Sequence, residues 1–556
     1  MLISSFVSIF GSIFMHRRLA FSFIAVFVPV AFAQPPTPGP DTTFYEAPLD
    51  EEGYVDYVAA LNAEFNDPPV KPETNAFLGI LNQVDTTDWP EGHIPALYSA
   101  LGVEQPNDDR QLFITFMEYA DVRGLPQAPP FDWENAAPDE EPPPPPAGTA
   151  DAMEERAYSK PWTAEELPEV ARWLDSIEVP LDAIVEATKL PTYYAPLVRP
   201  HEYATMIEIL LPHLGTHRAI GRSLSMRARM NLAVGNLDAA IDDWAAIKRL
   251  GRLQKQEPFL ICNLVGISLQ PLSHDLLALI LSQPGIEAQH IQEMRDIMNR
   301  LPTGESMARV IQRCERVMPL DLLTRASRGQ VDALEMIQVM QSLVLRNEPV
   351  TYAVRVPEPD PLTGLISDPK FDLDRALRRG NAAWVGWFGD VPDDYQAFAA
   401  SVQHIEADIH QRSAAAMQQA QRLLQIGKTG IPESADIGLI VDQTADLILA
   451  ICTPGFSAAI RTERQSDAQA SLEPTALALE RYRLDRGQYP PLLQSLVPDY
   501  IEALPPDMFS NKSLRYRRDG AGYMLYSVGT NLVDDGGIHD FSDGDIVLRV
   551  PWSLEN

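Results

Sequence analysis

The chain has 556 residues, of which 45% are hydrophobic, and a formal net charge of -33 at pH 7. A chain of this length and apolar content can bury more than one large core, and two or three domains are expected. The negative charge argues against nucleic-acid binding and against electrostatic adhesion to anionic lipid, because phosphate groups would be repelled. The cysteines Cys262, Cys314 and Cys452 are too few and too far apart for a disulfide-built fold.

The N-terminus has the parts of an export signal. Met15-His-Arg-Arg18 supplies basic residues, residues 19–30 form an apolar core, and Ala31-Phe-Ala33 matches a small-x-small cleavage pattern. We therefore predict a signal peptide over residues 1–33, with Met15 as a second candidate for its start. A longer leader or an uncleaved anchor is the alternative. The mature chain is expected in the periplasm or outside the cell, free or attached to the envelope, with no further transmembrane segment.

Proline-rich stretches separate the next parts of the chain. Residues 34–48 and the acidic residues 136–151 are predicted to be linkers, because proline disfavours helices and central strands. Residues 49–135 lie between them and are predicted to form a small helical region. Its expected helices cover residues 54–65, 75–83 and 95–101.

Residues 152–455 are predicted to form one large helical domain, since apolar residues recur there at three- and four-residue spacing. An α-solenoid or an irregular helical bundle fits this pattern. One helical hairpin is distinct, because residues 222–232 run into residues 234–241, in which Gly235-Asn236 turns the chain and Ala239-Ala240 allow the two helices to approach closely. This hairpin resembles a tetratricopeptide repeat (TPR), although any closely packed antiparallel helix pair has the same features.

The sequence contains no recognisable catalytic motif. A nucleophile elbow, a phosphate loop, a dinucleotide-binding fingerprint and a His-Glu-x-x-His helix are all absent from it. His213 and His217 could face one metal ion on a helix, but no acidic third ligand is identified for them. His404 and His410 lie near carboxylates but do not share a helical face well. We interpret both pairs as structural or surface histidines.

Two apolar features favour burial over ligand binding. Trp384, Trp387 and Phe388 have helical spacing and are expected to be core residues, with a platform for sugars or peptides as the alternative. Cys262 lies in an apolar run and is interpreted as a buried small hydrophobe.

The segment before the C-terminal region is not expected to cross a membrane. Residues 437–460 are apolar in part, but Asp442, Asp446 and Pro454 make a membrane span costly. Further along the chain, Pro474 is expected to break any long continuous helix unless it lies in a first turn.

The C-terminal residues 456–556 are predicted to form a separate α+β domain. Apolar residues recur at helical spacing from Leu472 to Tyr482, and Gly487 is expected to end this helix. Strands are expected over residues 514–517, 523–528 and 546–550, the first two joined by a hairpin turn at Asp519-Gly-Ala-Gly522.

An acidic loop precedes the third of these strands. Residues 531–545 contain five aspartates, which repel one another unless water or a cation neutralises them. Calcium prefers carboxylate, amide and backbone-carbonyl oxygens. The loop is therefore a candidate for a bound Ca²⁺, and a solvated acidic loop is the alternative.

Three motifs in this region occur in a characteristic order. They are Leu479-Glu-Arg-Tyr-Arg-Leu-Asp-Arg-Gly-Gln-Tyr-Pro490, then Tyr526-Ser-Val-Gly529, then Asp543-Gly-Asp-Ile546. Their order resembles the soluble domain of the major pseudopilin of type II secretion systems, a non-catalytic module that faces the cell envelope. The resemblance covers residues 456–552. The whole chain is also similar to large exported helical proteins that end in such a tail.

This resemblance implies a calcium site. Its side-chain ligands would be Asn531, Asp543 and Asp545, and Val528 would offer its backbone carbonyl. Asn531 stands where the family usually has an aspartate, and Asp540-Phe541 looks like an insertion. A pseudopilin helix continues from an N-terminal membrane segment, whereas here it lies far from the N-terminus, so polymerisation like a pilin is not expected.

The sequence therefore favours an exported, non-enzymatic envelope protein whose helical part holds a protein partner, in a type II secretion or surface-assembly system. The alternative is an exported hydrolase whose catalytic residues are dispersed over the helical domain. A structural wall or coat component is a third possibility. A deep pocket that gathers histidines and carboxylates would favour the hydrolase.

Overall fold

The computed structural model describes residues 35–106, 110–131, 142–302, 304–334, 336, 360–392, 395–453, 455–538 and 544–552. The predicted signal peptide lies outside these residues. The described part is mainly helical with one small antiparallel sheet, which confirms the predicted mainly α class. All described residues belong to one compact unit.

Short helices form the predicted small helical region. The first is capped by Asp56, whose carboxylate accepts hydrogen bonds from the backbone N–H groups of Val58 and Ala59. Thr115 and Glu118 form a reciprocal capping box at the last of these helices. The helices are α1 (Tyr57–Phe65), α2 (Ala76–Leu81), α3 (His93–Ala100) and α4 (Phe116–Val122).

The central helical part begins after the second proline-rich stretch. Its longest hairpin turns at Gly235, whose φ of +77° is a conformation that favours glycine. The helices are α5 (Ala150–Ser159), α6 (Pro168–Ser176), α7 (Glu178–Ala187), α8 (His213–Ala233), α9 (Leu237–Gln254), α10 (Leu260–Ser268), α11 (Gln270–Leu281), α12 (Ala288–Asn299), α13 (Met307–Val310) and α14 (Val317–Ser327). A π-helical turn, Ile311–Glu315, joins α13 to α14.

Helices α10 and α11 together form an apolar stretch, Leu260–Leu281. By length and composition this stretch is the one among the described helices that could cross a membrane. Its most apolar window is 67% buried inside the protein, as is usual for the core helices of a folded domain.

The remaining helices complete the helical part. They are α15 (Pro361–Ile366), α16 (Leu373–Phe388), α17 (Tyr395–Thr429) and α18 (Ile437–Cys452). The two carboxylates of α18 that argued against a membrane span form ion pairs with α16, Asp442 with Arg375 at 2.8 Å and Asp446 with Arg379 at 2.6 Å.

The first predicted linker is packed against these helices. Thr42 and Thr43 are buried. The side-chain amide of Asn381 donates a hydrogen bond to the carbonyl of Thr42. The Arg316 guanidinium lies 4.3 Å from the ring centroid of Phe44. The described residues of this segment are thus held by the helical part.

The C-terminal region begins with one long helix, α19 (Phe456–Arg486), which ends before Gly487 at a φ of +77° as predicted. The expectation that Pro474 breaks a long helix is wrong, because Pro474 lies inside α19. A proline in a helix interior costs about 3 kcal/mol. Here its neighbours Glu473 and Thr475 are fully buried, so tertiary packing offsets that cost.

The predicted strands are also confirmed. They are β1 (Arg515–Asp519), β2 (Gly522–Ser527) and β3 (Ile546–Val550), in the order β1-β2-β3 and all antiparallel. The hairpin closes at the pair Asp519 and Gly522, as the sequence predicted, and Gly520 has a positive φ of +57°. Every residue of the central strand β2 is buried.

One hydrophobic core connects the helical part to the C-terminal region. It extends from Ala76 to Val550 and includes residues of α9, α11, α19 and the sheet. The predicted large helical domain and the predicted C-terminal domain therefore bury their apolar faces against each other.

Helices α9 and α10 cross at two glycines. A Cβ atom added to Gly266 would lie 2.5 Å from the carbonyl oxygen of Gly251, and one added to Gly251 would lie 2.9 Å from the oxygen of Gly266. Only hydrogen atoms fit at this crossing, so the two helix backbones are in direct contact.

We expect Gly266→Ala to destabilise the protein by about 1–3 kcal/mol, because the added methyl group forces two packed backbones apart. The matched control is Gly386→Ala in α16, where an added Cβ meets no atom within 4 Å. The control should be neutral or stabilising by up to about 1 kcal/mol. Urea denaturation midpoints of both variants test this, and equal midpoints would contradict the close crossing.

Candidate functional site

Helix α19 is joined to α9 by an ion pair inside the core. The Lys248 ammonium lies 2.6 Å from Oε1 and 2.5 Å from Oε2 of Glu473. Both side chains are almost fully buried, at 3% and 1% exposure. Gln270 donates a hydrogen bond of 2.9 Å to the same carboxylate and accepts one of 3.3 Å from the ammonium.

His274 completes this buried cluster. Its Nδ1 lies 3.7 Å from Glu473 Oε1, and its Nε2 lies 3.1 Å from the carbonyl oxygen of Val547 in β3. Burial alone would raise the pKa of Glu473, but Lys248 and His274 outweigh it and hold that pKa below its usual range. Burial lowers the pKa of Lys248, and Glu473 offsets part of that effect. The cluster connects α9, α11, α19 and the sheet.

A second buried ion pair lies nearer the start of α19. Lys255 Nζ is 2.7 Å from Glu463 Oε1, and the backbone N–H of Met307 donates a hydrogen bond of 2.9 Å to Oε2 of the same residue. Glu463 therefore neutralises the charge of Lys255. It also accepts a hydrogen bond from one of the free backbone N–H groups at the N-terminus of α13. The backbone carbonyl of Lys255 accepts a hydrogen bond from Glu305, which fixes the segment that leads into α13.

A cleft of about 420 Å³ lies beside this second pair. It is bounded by the end of α9, the segment around α13 and its π-helical turn, the end of α16, and the first half of α19. Its walls combine cationic, acidic and apolar side chains. The charged residues are Arg252, Lys255, Arg309 and Arg464, with Glu305, Asp390, Glu463 and Asp467.

The π-helical turn behind the cleft contains a buried carboxyl group. Glu315 accepts a hydrogen bond of 2.6 Å from the backbone N–H of Leu260. Burial raises the pKa of Glu315 from 4.5 to about 7, although this hydrogen bond favours the charged form. Burial also raises the pKa of Cys452 to about 12, with Glu315 as a further cause.

His213 and His217 are buried on α8 and have the acidic partner that the sequence did not identify. His213 Nε2 lies 2.9 Å from Glu257 Oε2, and His217 Nδ1 contacts Gln254. Tyr193 and Cys262 donate hydrogen bonds to the same carboxylate, at 2.8 Å and 3.3 Å. Cys262 is thus buried as predicted, but in a polar cluster.

The electrostatics of this histidine cluster fit a structural role. Burial, with His213 as a second cause, lowers the pKa of His217 to about 4. Burial and Glu257 raise the pKa of the Cys262 thiol well above its usual range. The gap between α2 and the two histidines is narrow and lined mainly by apolar side chains, among them Phe77, Ile80 and Leu81.

The other predicted structural residues lie where the sequence placed them. Trp384, Trp387 and Phe388 are buried core residues, which confirms that prediction. His404 and His410 are exposed on α17. Within the described ranges, no group of three histidine, cysteine or acidic side chains could hold a metal ion.

The predicted calcium ligands are only partly described. Asp543 lies outside the described residues. Asn531 donates a hydrogen bond of 3.1 Å to Asp535, and its side-chain oxygen accepts one from Val533. Asp545 is buried and accepts a hydrogen bond of 2.7 Å from the backbone N–H of Gly537.

Nearby carboxylates act on Asp545. Burial, together with Asp535 and Asp534, raises its pKa. The backbone N–H of Val528 donates a hydrogen bond of 2.9 Å to Asp507 and is thereby fixed at the start of the loop. Asn531 and Asp545 both lie close to Asp535. Their side chains offer oxygen atoms as metal ligands, and calcium prefers oxygen ligands.

Comparisons of the chain with protein-family models, with curated proteins and with solved structures found no match.

Lys248 and Glu473 were not predicted as functional residues, although the sequence contains a signal for them. Trp244, Lys248 and Gly251 follow one another at three- and four-residue spacing on the buried face of α9, and Lys255 continues this spacing directly after the helix. Glu463 follows Phe456 and Ile460 on α19 in the same way. A charged residue at a core position of an amphipathic helix indicates a buried partner, but the pattern does not identify that partner.

We expect Lys248→Met to destabilise the protein by about 3–5 kcal/mol, because Glu473 would remain buried without its counter-ion. The double variant Lys248→Met with Glu473→Leu should cost less than the sum of the single changes. Urea denaturation provides the measurement. The control is Lys189→Met in the exposed pair with Glu186, where a change below about 1 kcal/mol is expected. If Lys248→Met lowered the free energy of unfolding by as little as the control does, a buried ion pair would be contradicted.

Glu315→Gln should change how stability depends on pH. Because the folded-state pKa of Glu315 is raised to about 7, its contribution is fully present below pH 4.5 and is lost as the pH rises through 7. Glutamine keeps the acceptor for Leu260 but cannot ionise. Relative to wild type, the variant should gain up to about 3 kcal/mol between pH 4.5 and 7. Denaturation at several pH values measures this. Exposed Glu186→Gln is the control, and parallel pH curves for Glu315→Gln and wild type would refute the prediction.

Proposed function

We propose that this protein is an exported, non-enzymatic scaffold of the cell envelope that holds a protein partner, as part of a secretion or surface-assembly system. In this proposal the helical part, with its TPR-like hairpin of α8 and α9, presents the binding surface. The C-terminal region is a pseudopilin-like module. The mature chain acts in the periplasm or outside the cell.

The observation that supports this proposal is the position of α19. In a pseudopilin the corresponding helix continues from a membrane segment and packs in a filament. Here the first half of α19 has Glu463 and Asp467, and Glu463 is paired inside the helical part with Lys255. A helix held in this way is not free to pack in a filament. The pseudopilin-like module is then a fixed part of a larger body.

The hydrolase alternative is less well supported. The residues that could form a catalytic group, His213, Glu257 and Cys262, come together, but all three are buried. The one large cleft described above contains acidic and basic side chains without a histidine. A wall or coat component would also match a rigid body, and it differs from the scaffold in needing no specific partner.

Affinity capture of the mature chain tests the scaffold. Residues 34–556 with a tag should recover secretion or assembly components from an envelope extract, both directly and after chemical cross-linking. The tag alone is the control. Recovery of only those proteins that the tag also recovers would count against a partner-holding role.

We further propose that the loop around Asp545 binds Ca²⁺ through oxygens of Asn531, Asp543, Asp545 and the Val528 carbonyl. Calcium bound to the folded state should raise the melting temperature of the mature chain, and Asp543→Ala with Asp545→Ala should abolish that rise. The control is Asp534→Ala, which removes a carboxylate that is paired with Arg515 and Tyr526. An unchanged melting temperature of the wild type in saturating calcium would refute the site.

A further inference from the structure

The cleft between α9, α13, α16 and α19 is lined by charged side chains of both signs. We propose that it binds a small zwitterion, a compound the size of one or two amino acids with a carboxylate and an ammonium group. This proposal goes beyond the scaffold function and does not depend on it.

The size and walls of the cleft suit such a ligand. Its volume of about 420 Å³ lies in the lower part of the range of small-molecule sites, roughly 300–1,000 Å³. Phe388, Val391 and Ile460 supply apolar surface on one part of the wall. The remaining wall is polar, so the cleft would take a compact polar ligand with a short apolar side chain.

Several charges of the cleft are already neutralised within the protein. Lys255 pairs with Glu463 at 2.7 Å, and Arg309 lies 3.5 Å from Glu305. These two pairs account for four of the charged side chains of the cleft. The charges of Arg252, Arg464 and Asp467 are not part of them.

The remaining cations are Arg252 and Arg464. Arg252 is half-buried and makes no hydrogen bond or ion pair with the described part of the chain. Arg464 donates a hydrogen bond from Nη2 to the carbonyl of Pro392 at 3.1 Å, but its Nε is buried and has no hydrogen-bond partner among the described residues. Both guanidinium groups line the cleft and are half-buried, which suits them to a carboxylate ligand.

The remaining acid in the interior of the cleft is Asp467. Its side chain is half-buried and, within the described residues, makes no hydrogen bond or ion pair. Burial raises its pKa, although Lys255, Arg252 and Arg464 act in the opposite direction. An ammonium group placed beside Asp467 would stabilise its charged form, while the ligand carboxylate would face the two arginines.

The backbone beside the cleft supports a binding role independently. Gln312, in the π-helical turn, lines the cleft and donates a hydrogen bond of 3.3 Å to the carbonyl of Gly389 on the opposite wall. An isolated π-helical turn is costly and occurs frequently at functional sites. The hydrogen bond of Gln312 thus connects this turn with the end of α16 beside the cleft.

Calorimetric titration of the mature chain tests the proposal. The probes are L-alanine, L-glutamate, L-lysine and L-alanyl-L-alanine, which separate free amino acids from peptides by size. N-acetyl-L-alanine lacks the ammonium group and L-alanine amide lacks the carboxylate. At least one zwitterion should bind, and each of the two blocked compounds should bind at least tenfold more weakly than L-alanine or the dipeptide.

Variants of the cleft complete the experiment. Arg252→Gln and Asp467→Asn should each weaken binding at least tenfold without lowering the melting temperature. The matched controls are the exposed residues of the same helices, Arg461→Gln and Asp242→Asn, which should bind like wild type. No binding by any zwitterion at millimolar concentration, equal binding of N-acetyl-L-alanine, or unchanged binding in both cleft variants would overturn the proposal.

Discussion

The arrangement of this protein depends on charges that are buried where α9 meets α19. A lysine and a glutamate in a core each lose several kcal/mol of hydration, and they are tolerated only if they meet in good geometry. Lys248 and Glu473 meet this condition, with Gln270 and His274 around them. Such a pair contributes little net stability. It does favour one position of α19 relative to α9, because a shift of α19 along α9 would leave two buried charges without a partner. The position of the C-terminal region is therefore specified by electrostatics as well as by apolar contact.

This selectivity explains why the C-terminal region is part of a larger body. Apolar surfaces alone can slide or repack, whereas Lys248 in α9 and Lys255 directly after it are each paired with a carboxylate of α19. The close glycine crossing of α9 and α10 places α10 and α11 near α19, and His274 extends the same cluster to the carbonyl of Val547 in β3. Helix α19, the sheet and the helical part are thus in contact at this buried cluster. A module that resembles a free-standing domain in sequence is, in this chain, one wall of a common core.

Local features of the fold could be predicted from the sequence, because their causes are local. Gly235, Gly487 and Gly520 take positive φ angles at the turns and helix end where they were expected. The hairpin follows from the glycines of Asp519-Gly-Ala-Gly522, which permit the positive φ angles that a tight reversal needs. Features with distant causes could not be predicted. The helix through Pro474 persists because its neighbours are buried by other helices, and the sequence around Pro474 does not contain that information.

The candidate sites also differ in whether their residues are close together or far apart in the sequence. The acidic loop was visible because its residues are adjacent in the chain, whereas the cleft draws its charges from four separate segments. Glu257 was missed as the partner of His213 because 44 residues separate them. Charged residues on the buried faces of α9 and α19 were the available signal, and they indicate that partners exist without saying which residues these are.

The distance between Lys248 and Glu473 along the chain, 225 residues, has a consequence for the order of events during synthesis. A ribosome completes α9 long before it completes α19, so an early intermediate has a lysine on an apolar face with no anion to meet it. Burying that face before α19 is present would leave the lysine charge without a partner, at a cost of several kcal/mol. Complete burial of this face of α9 therefore depends on a part of the chain that is synthesised much later.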